Sequence, residues 1–524
     1  MRHPPMRRAD ATLVQAFLAV LLAASLLAAT PARGQDPAAE RLFREAARLA
    51  TGGDPQAALE EFLLLVQQFP GDRLAARALL EIIQLRHRAG DDAGTRAALT
   101  QLLAAYPRTV ESATGFVLQA EIEMEQATSR EDLEEARKNF RRVPLLYGRE
   151  RFPALPDRSK ARIKSGEISL LLGDPGLAAA ELLAAVEDEP PSPWTGRARL
   201  RLGTAFLHQG EWIAAAEILQ RLAAEGDPPE GGLVNLAPTS SAEDRGRAGR
   251  LLSFIYRHRV RPAAGQRRWL AAHPFPASGL TLREPSGVAA QEDGRVLIVD
   301  GRSDLAALVG GDGEVLERRT VEDAARPGWT AGGVPYVATQ TGIELLFDDQ
   351  RTSFLEPRPG KEAALKGLQA AELGPFGHWF IVAKGWKGLL SYETRRKGQE
   401  LLATDRPELV DLASDSQGRL YALDRRARNV SRIGVDRRSQ GVVVQGGSWK
   451  RPEALAVDRL GNIYVVDRGS RIVRVYDAGG QSLAALGPQL GGGIELRAPV
   501  DLAVDGAGRL FIADEKLPFV VVLE

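Results

Sequence analysis

Arg451-Pro452-Glu453-Ala454-Leu455-Ala456-Val457-Asp458, followed by Gly461-Asn462-Ile463-Tyr464-Val465-Val466-Asp467, is the stretch whose reading decides the fold. It recurs as Pro499, Leu502-Ala503-Val504-Asp505 and Gly508-Arg509-Leu510-Phe511-Ile512-Ala513-Asp514. It recurs again as Pro407, Leu412-Ala413-Ser414-Asp415 and Gly418-Arg419-Leu420-Tyr421-Ala422-Leu423-Asp424. A fainter copy holds Pro285, Gly287-Val288-Ala289 and Gly294-Arg295-Val296-Leu297-Ile298-Val299-Asp300. In each copy an Ala-containing run reads as one short strand, Asp-x-x-Gly as a turn, and the run ending in Asp as the next strand. Asp415 to Asp424, Asp458 to Asp467 and Asp505 to Asp514 are each nine residues apart, which keeps equivalent side chains on equivalent faces. A repeat of this length marks a stacked or radial array.

Asp424 to Asp467 is 43 residues and Asp467 to Asp514 is 47. The 124 residues from Asp300 to Asp424 leave room for two more copies. Degenerate ones are read at Val334–Ala338 with Ile343–Phe347, and at Leu368–Ala371 with Trp379–Ala383. The pattern resembles NHL repeats, which build β-propellers, and the count implies six blades. The chain ends at Phe519–Leu523, a third strand without a fourth. The missing outer strand is expected from Leu280-Thr281-Leu282, a swap that closes the ring and removes exposed edges. NHL blades often carry an Asn and an Arg after the Asp that ends the second strand. Ser470 and Ile472 stand there in the best copy, so the family's ligands do not carry over.

Residues 37–225 have another character, rich in Ala, Leu, Glu and Arg with apolar positions at helical spacing. Breaks fall at Gly53-Asp54-Pro55, Gly90-Asp91-Asp92, Gly173-Asp174-Pro175 and Gly210-Glu211. Gly53 to Gly90, Gly173 to Gly210 and Pro70 to Pro107 are each 37 residues. Gly suits a helix end and the following Asp or Pro the next helix start. The stretch resembles tetratricopeptide (TPR) repeats. Their small residue early in the second helix matches Ala58, Ala136, Ala178 and Ala215, and the large one four positions on matches Phe62, Phe140, Leu182 and Leu219. Thr95 takes the small position in the second unit. Five units are expected, the third stretched by Tyr147–Asp157, with a capping helix at 243–259 after a Pro/Gly/Ser-rich loop, Gly226–Ser241. The resemblance implies a groove for protein partners; a helical spacer is the alternative.

The chain has 524 residues, equal numbers of acidic and basic side chains, and no cysteine. Two or more domains are expected. A neutral chain is drawn to neither nucleic acid nor membrane by bulk charge. Disulfides, thiolate zinc sites and cysteine nucleophiles are excluded. Arg2, Arg7 and Arg8, an apolar run over 11–29 and small residues before Gly34 fit a secretory signal peptide at 1–34, with an uncleaved anchor as the alternative. The fold class is therefore multidomain, α then all-β: a TPR-like α-solenoid at 37–260 and a six-bladed NHL-type β-propeller at 275–524, placed in the periplasm or secreted.

In a propeller the loops after the second strand and before the first strand of each blade share one face. That face collects Arg302, Lys384, Trp386, Lys387, Arg425, Arg426, Arg428, Arg468, Arg471 and Lys516 after second strands. Arg283, Arg406, Lys450, Arg451 and Arg497 precede first strands. Clustered Arg suits carboxylates or phosphates. The alternative is that they pair with neighbouring acids such as Asp424, Asp467, Asp514 and Glu515. Those aspartates recur in every good copy, which points to turn capping rather than catalysis. His87, His208, His258, His273 and His378 lie singly and lack metal-ligand spacing. No catalytic, metal or cofactor residue is assigned. The expected function is a non-catalytic scaffold of the bacterial cell envelope, binding proteins through the groove and an acidic partner on the basic face. The alternative is a propeller lyase or sensor acting on an anionic polymer or small ligand.

Overall fold

The computed structural model describes residues 36–524 except 128, 189–191, 226–239, 266, 277–278, 331–332, 340–341, 347–366, 375–376, 384–387, 394–397, 404–407 and 435–438. The leader expected at 1–34 and most of the loop expected at Gly226–Ser241 lie outside the described residues. Eleven long helices occur among the described residues, followed by a six-bladed β-propeller. The helices are α1 (Pro37–Thr51), α2 (Pro55–Gln68), α3 (Arg73–Arg88), α4 (Asp92–Ala105), α5 (Val110–Gln126), α6 (Arg130–Leu146), α7 (Pro156–Leu171), α8 (Pro175–Val186), α9 (Thr195–Gln209), α10 (Trp212–Ala223) and α11 (Ala242–Ile255). They fall into five pairs and a last helix, and α11 runs on through a π turn at Tyr256–Val260. No described helix is long and apolar enough to cross a membrane.

The breaks seen in the sequence are the helix ends. Asp54, Asp91 and Asp174 each cap the following helix, accepting from the backbone N–H of Ala57, Gly94 and Leu177. Gly173 and Gly210 take φ of 79° and 82°, the left-handed backbone that a side chain would strain. Ala58, Ala136, Ala178 and Ala215 are fully buried, and so are Phe140, Leu182 and Leu219 four residues on. The small positions admit the neighbouring helix and the large ones fill the space beyond, each contributing about 1.5–3 kcal/mol.

The chain forms two compact units: the described residues up to Ile122 with Asn139–Ala161, and Glu123–Lys138 with Arg162–Glu524. In the first, Phe62, Leu65, Leu79, Ile82 and Leu102 make the core. There Tyr106 and Tyr147 donate to the carbonyls of Pro70 and Pro107, equivalent contacts one repeat apart. The second holds the later helices and the whole propeller, so its helical and β parts make one body.

Strands are numbered from β1 (Ala272–Phe275), and each blade begins at the channel with an inner strand. The six inner strands are β2 (Pro285–Ala290), β6 (Ala324–Trp329), β9 (Leu368–Leu373), β13 (Leu409–Ser414), β17 (Pro452–Val457) and β23 (Pro499–Val504). The second strand in each blade is almost wholly buried, as in Ile463–Asp467 and Leu510–Asp514, because a neighbouring blade covers each of its faces. The fourth strands Val315–Thr320, Ser439–Gln445 and Ser482–Leu486 are largely exposed.

Two details differ from the sequence reading. The ring is closed by β1, which pairs antiparallel with Val520–Leu523 from Ala272↔Leu523 to Phe275↔Val520. Leu280–Leu282 is not a strand, although Leu282 is buried. Pro274 hid the true closing strand, yet an outermost strand tolerates an imino residue on its free side. In blade two the runs Val334–Ala338 and Ile343–Phe347 match second and third strands, Pro335–Thr339 and Ile343–Leu345, and the inner strand is Ala324–Trp329. Pro327 and Gly328 disguised it, and an inner strand also has a free edge.

Candidate functional site

The aspartates that end the second strands tie two loops together on one face. Asp467, fully buried, accepts from the backbone N–H of Lys450 and Arg451 and from Arg474. Asp514 accepts from the N–H of Arg497, Ala498 and Lys516, and Asp300 from those of Glu284, Arg302 and Ser303. Burial alone would raise the pKa of Asp467; the bonds from Arg451, Ser470 and Lys450 overcome it and bring it below the usual range. These residues are latches within and between loops.

The ten residues expected on the basic face divide. Arg425 pairs with Glu453 at 2.8 Å, Arg471 with Glu495 at 3.2 Å, and Arg468 with Glu515. Arg302, Arg426, Arg428 and Lys516 are exposed at the same end of the propeller. Lys384, Trp386 and Lys387 lie outside the described residues.

The opposite end of the channel holds more chemistry. All six inner strands line one cavity of about 640 Å³, which continues against α7, α9 and α11. Its helical end is bounded by Lys164, Glu167, Arg197, Arg201 and Arg247, and by Glu292 and Arg459 from turns between first and second strands. Glu167 takes Arg201 at 2.7 Å and Lys164 at 3.0 Å. Burial pushes its pKa up, but Arg201, Lys164 and Arg197 outweigh that and hold it at about 2. Glu292 pairs with Arg459 at 3.0 Å, and that guanidinium holds its pKa below the usual range against the effect of burial. The same turns also bring Asp415, Asp458 and Asp505, bonded to Arg419 at 2.6 Å, to Asn462 and Tyr464, and to Arg509 at 2.7 Å, so five cations and five carboxylates line this end.

The deeper wall is set by positions where the repeat is broken. Strand register aligns Gly287, Arg326, Ala370, Asp411, Ala454 and Asp501 as one layer of the inner strands. Arg326 reaches from blade two to Asp501 at 2.6 Å, to the Val500 carbonyl in blade six and to the Glu453 carbonyl in blade five. Asp411 accepts from Leu455 N–H of the next blade, and Asp501 from Val288 N–H. Gly287 leaves space: a Cβ there would lie 2.5 Å from Pro327 Cδ. Two positions further along, Ala289, Gly328, Ala413, Ala456 and Ala503 align with Glu372.

Glu372 accepts from the Ser414 hydroxyl of the next blade. Burial is the main cause that lifts its pKa to about 7, with Asp411 adding to the rise. Burial also lifts Asp411 and Asp501, while Arg326 opposes the rise. Tyr336, raised in its turn by burial and by Glu372, donates to the Ala371 carbonyl beside it. Three carboxylates and one guanidinium therefore sit among the inner strands.

The helices are fixed to this end of the propeller. Arg250 donates to the Glu292 carbonyl at 2.7 Å, and Trp269 Nε1 to that of Gly508 at 3.1 Å. His258, stacked on Phe254, lies 4.0 Å from Asp458, and burial keeps it neutral with a pKa of about 3. His208 approaches Ser416, and burial lowers its pKa to about 4.

The sequence reading placed no site residue in this cavity. Glu372 was legible as a departure: it stands one residue past the run Leu368–Ala371, where the other copies have Ala or Gly. Arg326 was not, because its strand was not recognised. The helical cations needed the packing of α7, α9 and α11 on the propeller.

No protein-family model matches the chain, and no curated protein matches it in sequence. Solved structures do. A putative gluconolactonase is 16% identical over 48% of this chain and 91% of that one, with a TM-score of 0.39. Virginiamycin B lyase from Staphylococcus aureus is 10% identical over 48% and 97%, with a TM-score of 0.36. Regucalcin, a calcium-binding protein from Agrobacterium tumefaciens, is 15% identical over 49% and 93%, with a TM-score of 0.38. None of these likenesses reaches the chemistry of the site.

Proposed function

We propose that this chain is a non-catalytic binding protein of the bacterial cell envelope whose propeller channel holds a small molecule bearing a carboxylate or phosphate. One observation carries the reading: a cavity of about 640 Å³, lined by every inner strand, gathers Lys164, Arg197, Arg201, Arg247 and Arg459 at its helical end, where Asp415 and Asp505 are taken up by Arg419 and Arg509. Its volume lies within the usual small-molecule range of about 300–1,000 Å³. Guanidinium groups bind such anions through paired, charge-assisted bonds of about 1.5–3 kcal/mol each. The helices at 37–122, read as TPR-like, would hold a protein partner that receives the ligand signal. An N-terminal leader would deliver the protein to the envelope.

Thermal melting with inorganic phosphate, citrate and chloride tests this. A ligand at about 100 Kd stabilises its protein by about 2.7 kcal/mol. Phosphate or citrate should raise the Tm of the whole protein, and the double variant Arg197→Gln/Arg247→Gln should lose the rise. An equal shift with chloride, or an unchanged rise in the double variant, sinks the reading.

A second reading rests on exposed Arg302, Arg426, Arg428 and Lys516 at the other end of the propeller. They would dock an acidic protein or envelope polymer. Crosslinking in envelope extracts should then capture a partner that charge reversal at Arg426 and Arg428 releases.

A further inference from the structure

The cavity has two electrical ends. At the helical end Lys164, Arg197, Arg201, Arg247 and Arg459 stand against Glu167, Glu292 and Asp458, while Asp415 and Asp505 there are bonded to Arg419 and Arg509. Among the inner strands Arg326 stands against Glu372, Asp411 and Asp501. Arg326 is already committed to Asp501 and to the carbonyls of Val500 and Glu453. The deep end therefore holds no uncommitted cation for an anion among the described residues, and its carboxylates exceed its cations. A purely anionic ligand satisfies only the helical end. Glu372 stands where the other blades place Ala or Gly, and Asp411 and Asp501 share their layer with Gly287, Arg326, Ala370 and Ala454, so these carboxylates are not fixed by the repeat.

We infer that the ligand is amphoteric, with a carboxylate or phosphate held by Lys164, Arg197 and Arg201 and an ammonium or guanidinium group held by Glu372 and Asp411. An ω-amino acid or a short basic peptide has this chemistry. The inference rests on the chamber reading above and adds the second charge. Protons now fill the place of the missing cation: burial holds Glu372 half-protonated near neutral pH. The groups facing it are Ser414 and Asp411 on the next blade, Tyr336 on the previous one, and beyond them Arg326 and Asp501. A ligand cation would displace those protons, so binding should release them and strengthen as pH rises through about 7.

The test is calorimetric titration of the full chain with a length-matched series: 6-aminohexanoate, adipate and hexane-1,6-diamine. Titrations at about pH 6 and about pH 8, in buffers of different ionisation enthalpy, count the protons. The amino acid should bind about tenfold tighter than adipate at the higher pH, with proton release. Glu372→Gln should abolish both the preference and the pH dependence, while its melting curve shows that it folds. Adipate binding as tightly as the amino acid, pH-independent binding, or no binding of any member overturns the inference. In those cases a phosphate-induced rise in Tm that depends on Arg197 and Arg247 leaves the anion chamber standing, so the two failures are distinguishable.

Discussion

Blade five and blade three solve the same place in the inner strand in opposite ways. In blade five Ala456 lies opposite Tyr464, and the blade follows the repeat throughout. In blade three Glu372 lies opposite Phe380, a carboxylate where four blades have Ala and one has Gly. Blade two departs further, with Arg326, Pro327 and Gly328 in succession. The regular blades carry latches, aspartates that recur at the end of the second strand in blades one, four, five and six. The irregular blades add Arg326 and Glu372, which no repeat requires, and the regular blades four and six add Asp411 and Asp501. Positions that repeat report folding, and positions that depart from the repeat report chemistry, whichever blade holds them.

The comparison can be pressed hardest at Arg326. Replacing it with Met leaves Asp501 and Asp411 buried without their cation, a loss of about 3–5 kcal/mol for a broken buried pair. Adding Asp501→Asn should restore a large part of that loss in denaturant unfolding, as a double-mutant cycle requires of coupled groups. Additive effects would mean that Arg326 is no hub and that blade two is irregular for another reason. A regular blade gives the next effect. Asp467→Ala strands the N–H groups of Lys450 and Arg451, at about 2–4 kcal/mol. Its ligand-induced Tm shift should be unchanged from wild type. A lost shift would give the latches a part in binding as well.

This division also explains what could be read in the chain. Spacing exposed the helix ends, the six blades and the latching aspartates, because each is fixed by local backbone demands at constant intervals. It misplaced the closing strand, since Pro274 looks like a strand breaker until the strand is known to be outermost. It mistook second and third strands for first and second in blade two, since Pro327-Gly328 erased the pattern there. The basic face was drawn from loop positions alone. The carboxylates that meet Arg425, Arg468 and Arg471 come from other segments: Glu453 from the next inner strand, Glu515 from a loop of the next blade and Glu495 from a separate hairpin. The cavity's helical cations come from three helices whose contact with the propeller is a tertiary fact.

The smallest effect is the most discriminating, because its sign depends on pH. The pKa of Glu372 is raised from the ordinary 4.5 to about 7 in the folded protein, chiefly by burial. A carboxyl raised on folding binds more protons in the native state than in the unfolded one between those two values. Its contribution to stability is therefore fully present at low pH and is lost as pH climbs through about 7. Glu372→Gln mimics the protonated form at every pH. The variant should match wild type near pH 5 and exceed it by about 1–2 kcal/mol near pH 8 in urea unfolding, the gain reduced by the amide's own burial. The same substitution weakens the amphoteric ligand, so stability and binding move in opposite directions. A variant that is less stable at both pH values would make Glu372 another latch, held through Ser414 like the aspartates of the regular blades, and blade three would lose its distinction.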